Sequence, residues 1–332
     1  MPVEVRKVLI PSFGGPQKIQ IVNSTLPDPA PNHVQVKVLY SGFSGADINM
    51  RIGVYPLQRK APLTPGYCFV GTVHALGPQS TRFAVGDLVA CLSIYDAEAT
   101  YSNQLEKHLI PVPKGLDPKI ATTLILDWNT AYGMLKGTDW KGKKVFVHGM
   151  SGAVGYALMT LCLLEGAQVY GTASARNHQT IRDLGATPFV YTDKLWITYM
   201  KQIGGAQGVF DALGFESWDE SYDILSPSGG TLYGYGGNLG TLKGEKPRSV
   251  IWPTLKLLGR NLMFWSRKST KFWWIDRDWS LFLPNTQEVF ALALQDKLKI
   301  SIKRVFELDD VATAHREWTS LTGMGSVLVH VS

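Results

Sequence analysis

From residue 121 onward, short apolar runs alternate with longer stretches of helical periodicity. The runs occupy residues 145–148, 169–172, 189–191, 209–212, 230–234 and 261–265, and the clearest amphipathic stretch covers residues 153–166. Short strands that read apolar throughout, separated by helices, predict a parallel sheet covered on both faces, a doubly wound α/β architecture. The first 120 residues or so read differently. Residues 33–40 alternate, with Val34, Val36 and Val38 on one face, and residues 66–77 and 85–92 form further strand segments punctuated by glycine and proline. Beyond residue 271 come a helix (286–296), a strand (302–306), a helix (310–321) and a last strand (326–331). The pattern predicts a β-rich unit of residues 1–124 together with 271–332, and an α/β unit of residues 125–270.

The first apolar run, residues 144–147, leads directly into Gly149-x-x-Gly152-x-x-Gly155 and then a helix. A strand, a glycine turn and a helix N-terminus in that order form the phosphate-gripping turn of a dinucleotide-binding domain. The glycines admit backbone close to a pyrophosphate, and the helix start offers N–H groups and partial positive charge. Sites for NAD place an acid at the end of the second strand to hold the ribose 2′-hydroxyl. Here no acid occurs between Glu165 and Asp183, and Ser174, Arg176 and His178 stand in that stretch. A guanidinium forks onto a 2′-phosphate where a carboxylate repels it, so the pattern favours NADPH.

Composition narrows the picture further. The 332 residues are 45% hydrophobic and 18% charged, enough for two globular domains. The net charge of +6 is spread over 33 basic residues without long runs, which argues for attraction of an anionic cofactor and against nucleic-acid binding. Three widely spaced cysteines (Cys68, Cys91, Cys162) imply no disulfide framework. Residues 1–13 carry no apolar signal core, and the most apolar helix, residues 156–164, is too short to span a bilayer. The expected location is cytoplasmic.

Several landmarks then fall into register: Asp47-x-x-x-Arg51-x-Gly53-x-Tyr55-Pro56, Thr64-Pro65-Gly66-x-x-x-x-Gly71-x-Val73, Val85-Gly86-Asp87-x-Val89, Thr130-Ala131-Tyr132, and the closing Leu308-Asp309-Asp310-Val311-Ala312. Across essentially its whole length the chain resembles the medium-chain dehydrogenase/reductase superfamily. It is most similar there to the zinc-free quinone oxidoreductases, zeta-crystallin included, and to their VAT-1-like branch. The resemblance implies a GroES-like β-rich catalytic domain beside a Rossmann domain, with the C-terminus returning to the first. For the cofactor it implies Gly152, Ala153, Val154 and Gly155 at the pyrophosphate, Ser174, Arg176, His178 and Tyr191 around the 2′-phosphate, and Thr130, Tyr235, Gly236 and Asn238 along the nicotinamide half.

Zinc-dependent members carry Cys, His-Glu and Cys where this chain has Ser44, Tyr67-Cys68 and Leu126, so no metal is expected. Without a Lewis acid to acidify an alcohol, the resemblance points to hydride delivery onto an acceptor that is already electrophilic. A quinone or an α,β-unsaturated ketone qualifies, in a detoxifying or a biosynthetic (enoyl reductase) role. Tyr55 matches a tyrosine near the nicotinamide and is the candidate proton donor, although a tyrosine packing an ordinary turn before a proline reads the same. Ser44 and Asn49 replace the family's asparagine and a second tyrosine, so they count as candidate catalytic positions with altered chemistry.

Five of the ten tryptophans crowd residues 252–279. Trp265, Trp273 and Trp274 are candidates for an apolar wall against a flat, conjugated carbonyl substrate; core packing or a subunit interface accounts for the cluster as well. A final strand at residues 261–265 would lie at a sheet edge, which in this family pairs across a homodimer. The contrasting class is a non-catalytic NADPH-binding protein serving as an RNA- or membrane-associated adaptor, which the two lost polar residues keep open.

Overall fold

The computed structural model describes residues 2–246 and 248–332. It divides into two compact units, one of Met1–Asn129, Asp276–Thr322 and Ser326–Ser332, the other of Thr130–Ile275 with Gly323–Gly325. The changeovers lie a few residues beyond the positions 124 and 271 read from the pattern.

The first unit opens with an antiparallel pair, β1 (Val3–Leu9) and β2 (Gln20–Leu26). Then come β3 (His33–Phe43), α1 (Gly45–Ile52), β4 (Phe69–Leu76), β5 (Leu88–Cys91), β6 (Tyr101–Leu105), β7 (Leu109–Pro111) and α2 (Pro118–Thr123). Val34, Val36 and Val38 of β3 are fully buried, as the alternation requires, and meet Phe69, Val73 and Val89 in one core. After α2 the chain makes a wide π-turn at Leu124–Trp128 before α3 (Asn129–Leu135).

The second unit continues with β8 (Lys144–Val147), α4 (Ala153–Leu164), β9 (Gln168–Ala173), α5 (His178–Asp183), β10 (Thr187–Val190), α6 (Leu195–Gln202), β11 (Gly208–Asp211) and α7 (Glu216–Asp223). It closes with β12 (Gly230–Gly234), α8 (Leu239–Lys243), α9 (Ile251–Gly259) and β13 (Lys268–Phe272). All six strands run parallel in the order β10-β9-β8-β11-β12-β13. The order reverses between β8 and β11, so the carboxyl ends of those strands define the crevice where such sheets bind ligands.

The chain ends, back in the first unit, with α10 (Phe282–Leu294), β14 (Ile302–Glu307), α11 (Val311–Glu317) and β15 (Ser326–His330). The second sheet runs β14-β15-β3-β4-β5-β7, with β6 also paired to β3.

One predicted strand is corrected. Residues 261–265 are not extended: Asn261 sits in a 3₁₀ turn, and Phe264 and Trp265 stand 91% and 72% exposed. The edge strand is Lys268–Phe272, which shows one buried side chain, Thr270. The Asn261 amide clamps it, donating to the Thr270 carbonyl (2.9 Å) while its own carbonyl accepts from the Thr270 N–H (2.7 Å). The apolar run misled because it is a surface patch rather than a buried strand.

Candidate functional site: a glycine turn and a buried polar cluster

In the second unit, the carboxyl ends of the parallel strands gather most of the sequence-derived candidates. Gly149 takes a left-handed φ of 70° after β8 and starts the turn that ends at Gly152. Gly152 caps α4 without any side-chain bond, leaving the first N–H groups of a twelve-residue helix to a ligand. A Cβ on Gly155 would lie 2.2 Å from the Gly149 carbonyl oxygen, so only glycine lets this helix pack under its own turn. Ala153 and Val154 form the first helical positions between them.

Ser174, Arg176 and His178 follow β9, with Arg176 exposed and the His178 ring anchored through Nε2 to the Ala173 carbonyl (3.2 Å). Tyr191 leaves the end of β10 and is exposed. Tyr235, Gly236 and Asn238 follow β12; the Tyr235 N–H donates to the Asp211 carbonyl (3.1 Å) and the Asn238 N–H to that of Ala212 (3.2 Å). Thr130 lies on α3 rather than at a strand end, and its buried hydroxyl oxygen has no partner among the described residues. The free helix start, the glycine cradle and this orphan hydroxyl fit a dinucleotide. Trp273 and Trp274 leave the carboxyl end of β13, whereas Trp265 precedes that strand and sits toward its opposite end. Trp265 is thus separated from the other two tryptophans by the length of the strand, so the three do not form one wall.

In the first unit, Ser44 caps α1, Asn49 lies within it and Tyr55 falls in the loop beyond it. The Ser44 hydroxyl is engaged as the helix cap: Oγ accepts from the Ala46 N–H (3.2 Å) and donates to Asp47 (3.2 Å). Asn49 lies in the body of α1, where its carbonyl accepts from the N–H groups of Gly53 and Val54. Tyr55 donates its hydroxyl to that of Tyr67 across 2.7 Å, and the rings meet edge to face at 5.8 Å. Burial, followed by the neighbouring Tyr67, pushes the Tyr55 phenol up. Burial raises Tyr67 too, but the proton offered by Tyr55 pulls it down. Tyr67 was not among the sequence candidates, and nothing in its local pattern marks it.

The same unit also buries carboxyls to which the sequence reading gave no role. Asp47 accepts from the Ser44 N–H (2.8 Å) and Gly66 N–H (3.0 Å), yet burial holds it at about 6. Asp127, in the π-turn, accepts from the Ser326 hydroxyl (2.5 Å), and burial lifts it to about 7. Glu98 is fully buried, with neither oxygen partnered among the described residues, and burial and then Asp47 raise it well above a normal carboxyl. Gly66 is what allows the close fit, because a Cβ there would lie 2.6 Å from the Glu98 nitrogen.

The zinc positions hold no suitable donor set. Ser44 is a cap, Cys68 is a buried thiol directed at the Thr122 carbonyl (3.7 Å) and raised by burial, and Leu126 is aliphatic. Among the described residues no group of three or more His, Cys, Asp or Glu side chains is placed to hold a metal ion. No described helix is long and apolar enough to cross a membrane.

Comparison with known proteins agrees with the architecture. Residues 30–116 match the family described as alcohol dehydrogenase GroES-like domain, and residues 184–329 match that described as zinc-binding dehydrogenase. The human synaptic vesicle membrane protein VAT-1 homolog is 28% identical, over 98% of this chain and 86% of its own length. A probable quinone oxidoreductase of Schizosaccharomyces pombe is 27% identical, over 97% and 96%. The crystal structure of Escherichia coli quinone oxidoreductase complexed with NADPH superposes with a TM-score of 0.83 at 22% identity, covering 98% of this chain and 99% of that one. The chain belongs to the medium-chain dehydrogenase/reductase superfamily. Within it, the chain is similar over nearly its whole length to quinone oxidoreductases and VAT-1 homologues.

Proposed function

We propose that the protein is an NADPH-dependent oxidoreductase that reduces a quinone or the C=C bond of an α,β-unsaturated ketone without a metal. The observation that carries this reading is the open glycine turn at α4, followed at the end of β9 by Arg176 and His178 in place of an acid. Relatives named as quinone oxidoreductases, one of them complexed with NADPH, support it.

Bound NADPH supplies a hydride. The turn from Gly149 to Gly155 and the start of α4 take the pyrophosphate, and Arg176 and His178 hold the 2′-phosphate. Hydride at the β-carbon leaves an enolate or phenolate oxygen. Tyr55 is the residue assigned to stabilise and protonate it, with Tyr67 accepting the Tyr55 hydroxyl bond in the resting state. Three buried, unbridged thiols favour a reducing, cytoplasmic setting. The uncovered edge strand β13 and the exposed Trp252, Phe264 and Trp265 beside it favour a homodimer, to be checked by sedimentation of the parent and of Phe264→Glu.

The test follows consumption of NADPH and NADH against a panel of quinones and conjugated enones. Turnover with NADPH far exceeding that with NADH is expected, and Arg176→Ala with His178→Ala should raise the NADPH KM at least tenfold while sparing NADH. Clear NADPH binding without turnover of any acceptor would overturn the catalytic reading in favour of the adaptor class.

A further inference from the structure

Behind the glycine turn lies a buried polar chain that the cofactor contacts do not use. His148 directly follows β8, is almost fully buried, and stands edge-on to the rings of Phe146 (5.1 Å) and Trp196 (5.0 Å). Its Nε2 lies 3.0 Å from Ser221 Oγ and its Nδ1 3.3 Å from Thr172 Oγ1. Ser221 and Ser217 both donate to Asp211 Oδ2 at 2.7 Å, while Asp211 Oδ1 accepts from the Leu213 N–H at 2.7 Å. Thr172 Oγ1 in turn accepts from the Gly149 N–H at 3.1 Å.

Counting protons fixes the direction of the chain. Ser221 gives its single proton to Asp211, so it accepts from Nε2–H of His148. Nδ1 is then a lone pair that accepts the Thr172 proton, and the Thr172 oxygen is left to receive Gly149. Burial lowers His148 against the opposing pull of Asp211 and Glu220, with Lys194 adding to the lowering, which keeps the ring in this neutral form.

Three segments of the dinucleotide cradle hang on this chain. Gly149 opens the pyrophosphate turn, and Thr172 stands two residues before Ser174. Asp211 and Ala212 carry, through their carbonyls, the N–H groups of Tyr235 and Asn238 in the turn after β12.

We propose that Thr172, His148, Ser221 and Asp211 act together as positioning residues that set the backbone of the glycine turn for the pyrophosphate, a part common to both nicotinamide dinucleotides. This rests on the cofactor occupying the turn as argued above. Such residues touch no ligand, so their removal acts through Gly149.

The test measures Kd for NADPH and for NADH by calorimetry in Thr172→Val, Thr172→Ser and Ser221→Ala, with folding followed by circular dichroism. Thr172→Val should weaken both cofactors equally, about tenfold for the loss of a buried hydrogen bond, with kcat at saturating NADPH unchanged. Thr172→Ser, which restores the hydroxyl, should return to the parent value, and Ser221→Ala should weaken both in the same direction. Folded Thr172→Val and Ser221→Ala proteins with both Kd values within twofold of the parent would overturn the proposal. So would a loss confined to NADPH, which would move Thr172 to the 2′-phosphate. A parent that binds neither dinucleotide is a different failure, that of the cofactor reading underneath.

Discussion

The two units bury carboxyl groups with different sets of partners. In the α/β unit Asp211 is completely enclosed, yet two hydroxyls and a backbone N–H point at it, and His148 Nε2 lies 3.8 Å away. In the β-rich unit the buried acids are answered unevenly: Asp47 accepts from two backbone N–H groups and the Ser44 hydroxyl, Asp127 from the Ser326 hydroxyl, and Glu98 from no group among the described residues, and burial drives each of them toward its protonated form. Desolvation disfavours a buried carboxylate, and each fixed donor that replaces water offsets part of that price. The β-rich unit therefore holds protons near neutrality on Asp47 and Asp127.

The largest effect should come from removing the answered acid. Asp211→Ala leaves Ser217, Ser221 and the Leu213 N–H facing an empty site, and unfolding in guanidinium should show a loss of about 3 kcal/mol. A loss under 1 kcal/mol would mean that Asp211 is no better served than its counterparts in the other unit.

The raised acids of the β-rich unit should behave in reverse. Asp127 rises from 3.8 to about 7, so its contribution to stability is full below the lower value and is lost as pH rises through the upper one. Asp127→Asn keeps an acceptor for Ser326 and should abolish that decline, leaving the variant more stable than the parent at pH 8 by on the order of 4 kcal/mol and equal to it near pH 3. Glu98→Gln should act in the same direction. Thermal unfolding across pH reads both, and a parallel offset at every pH would contradict the protonated assignment.

The smallest effect sharpens the comparison from within. Ser44→Ala removes a cap from α1 at a cost of roughly 1 kcal/mol, and deprives Asp47 of a donor. Asp47 should then titrate above its present value of about 6, which carboxyl NMR would follow directly.

Much of the α/β unit was legible because its strands are buried on both faces. Val145-Phe146-Val147 and Val209-Phe210 read as apolar runs, and all five side chains are fully buried. The edge strand was not legible, since Lys268-Ser269-Thr270-Lys271-Phe272 has only Thr270 to bury while the apolar residues before it face solvent. The glycine turn was read from its spacing between an apolar strand and a helix. The chain behind it was not, although it left a trace: His148 and Asp211 are polar residues at the ends of otherwise apolar strands. Tyr67 and Glu98 left none, because Tyr67 meets Tyr55 only through the fold of the intervening loop and Glu98 is a lone acid in a stretch without periodicity.

The three cysteines bear on how the protein can be watched. Cys68, Cys91 and Cys162 are all free, fully buried and raised by burial, which makes the folded chain inert toward thiol reagents. Two of them lie in the β-rich unit and one in the α/β unit. Each thiol is therefore a native clock: the rate at which it becomes labelled times the opening of its own unit, with no probe added to the sequence.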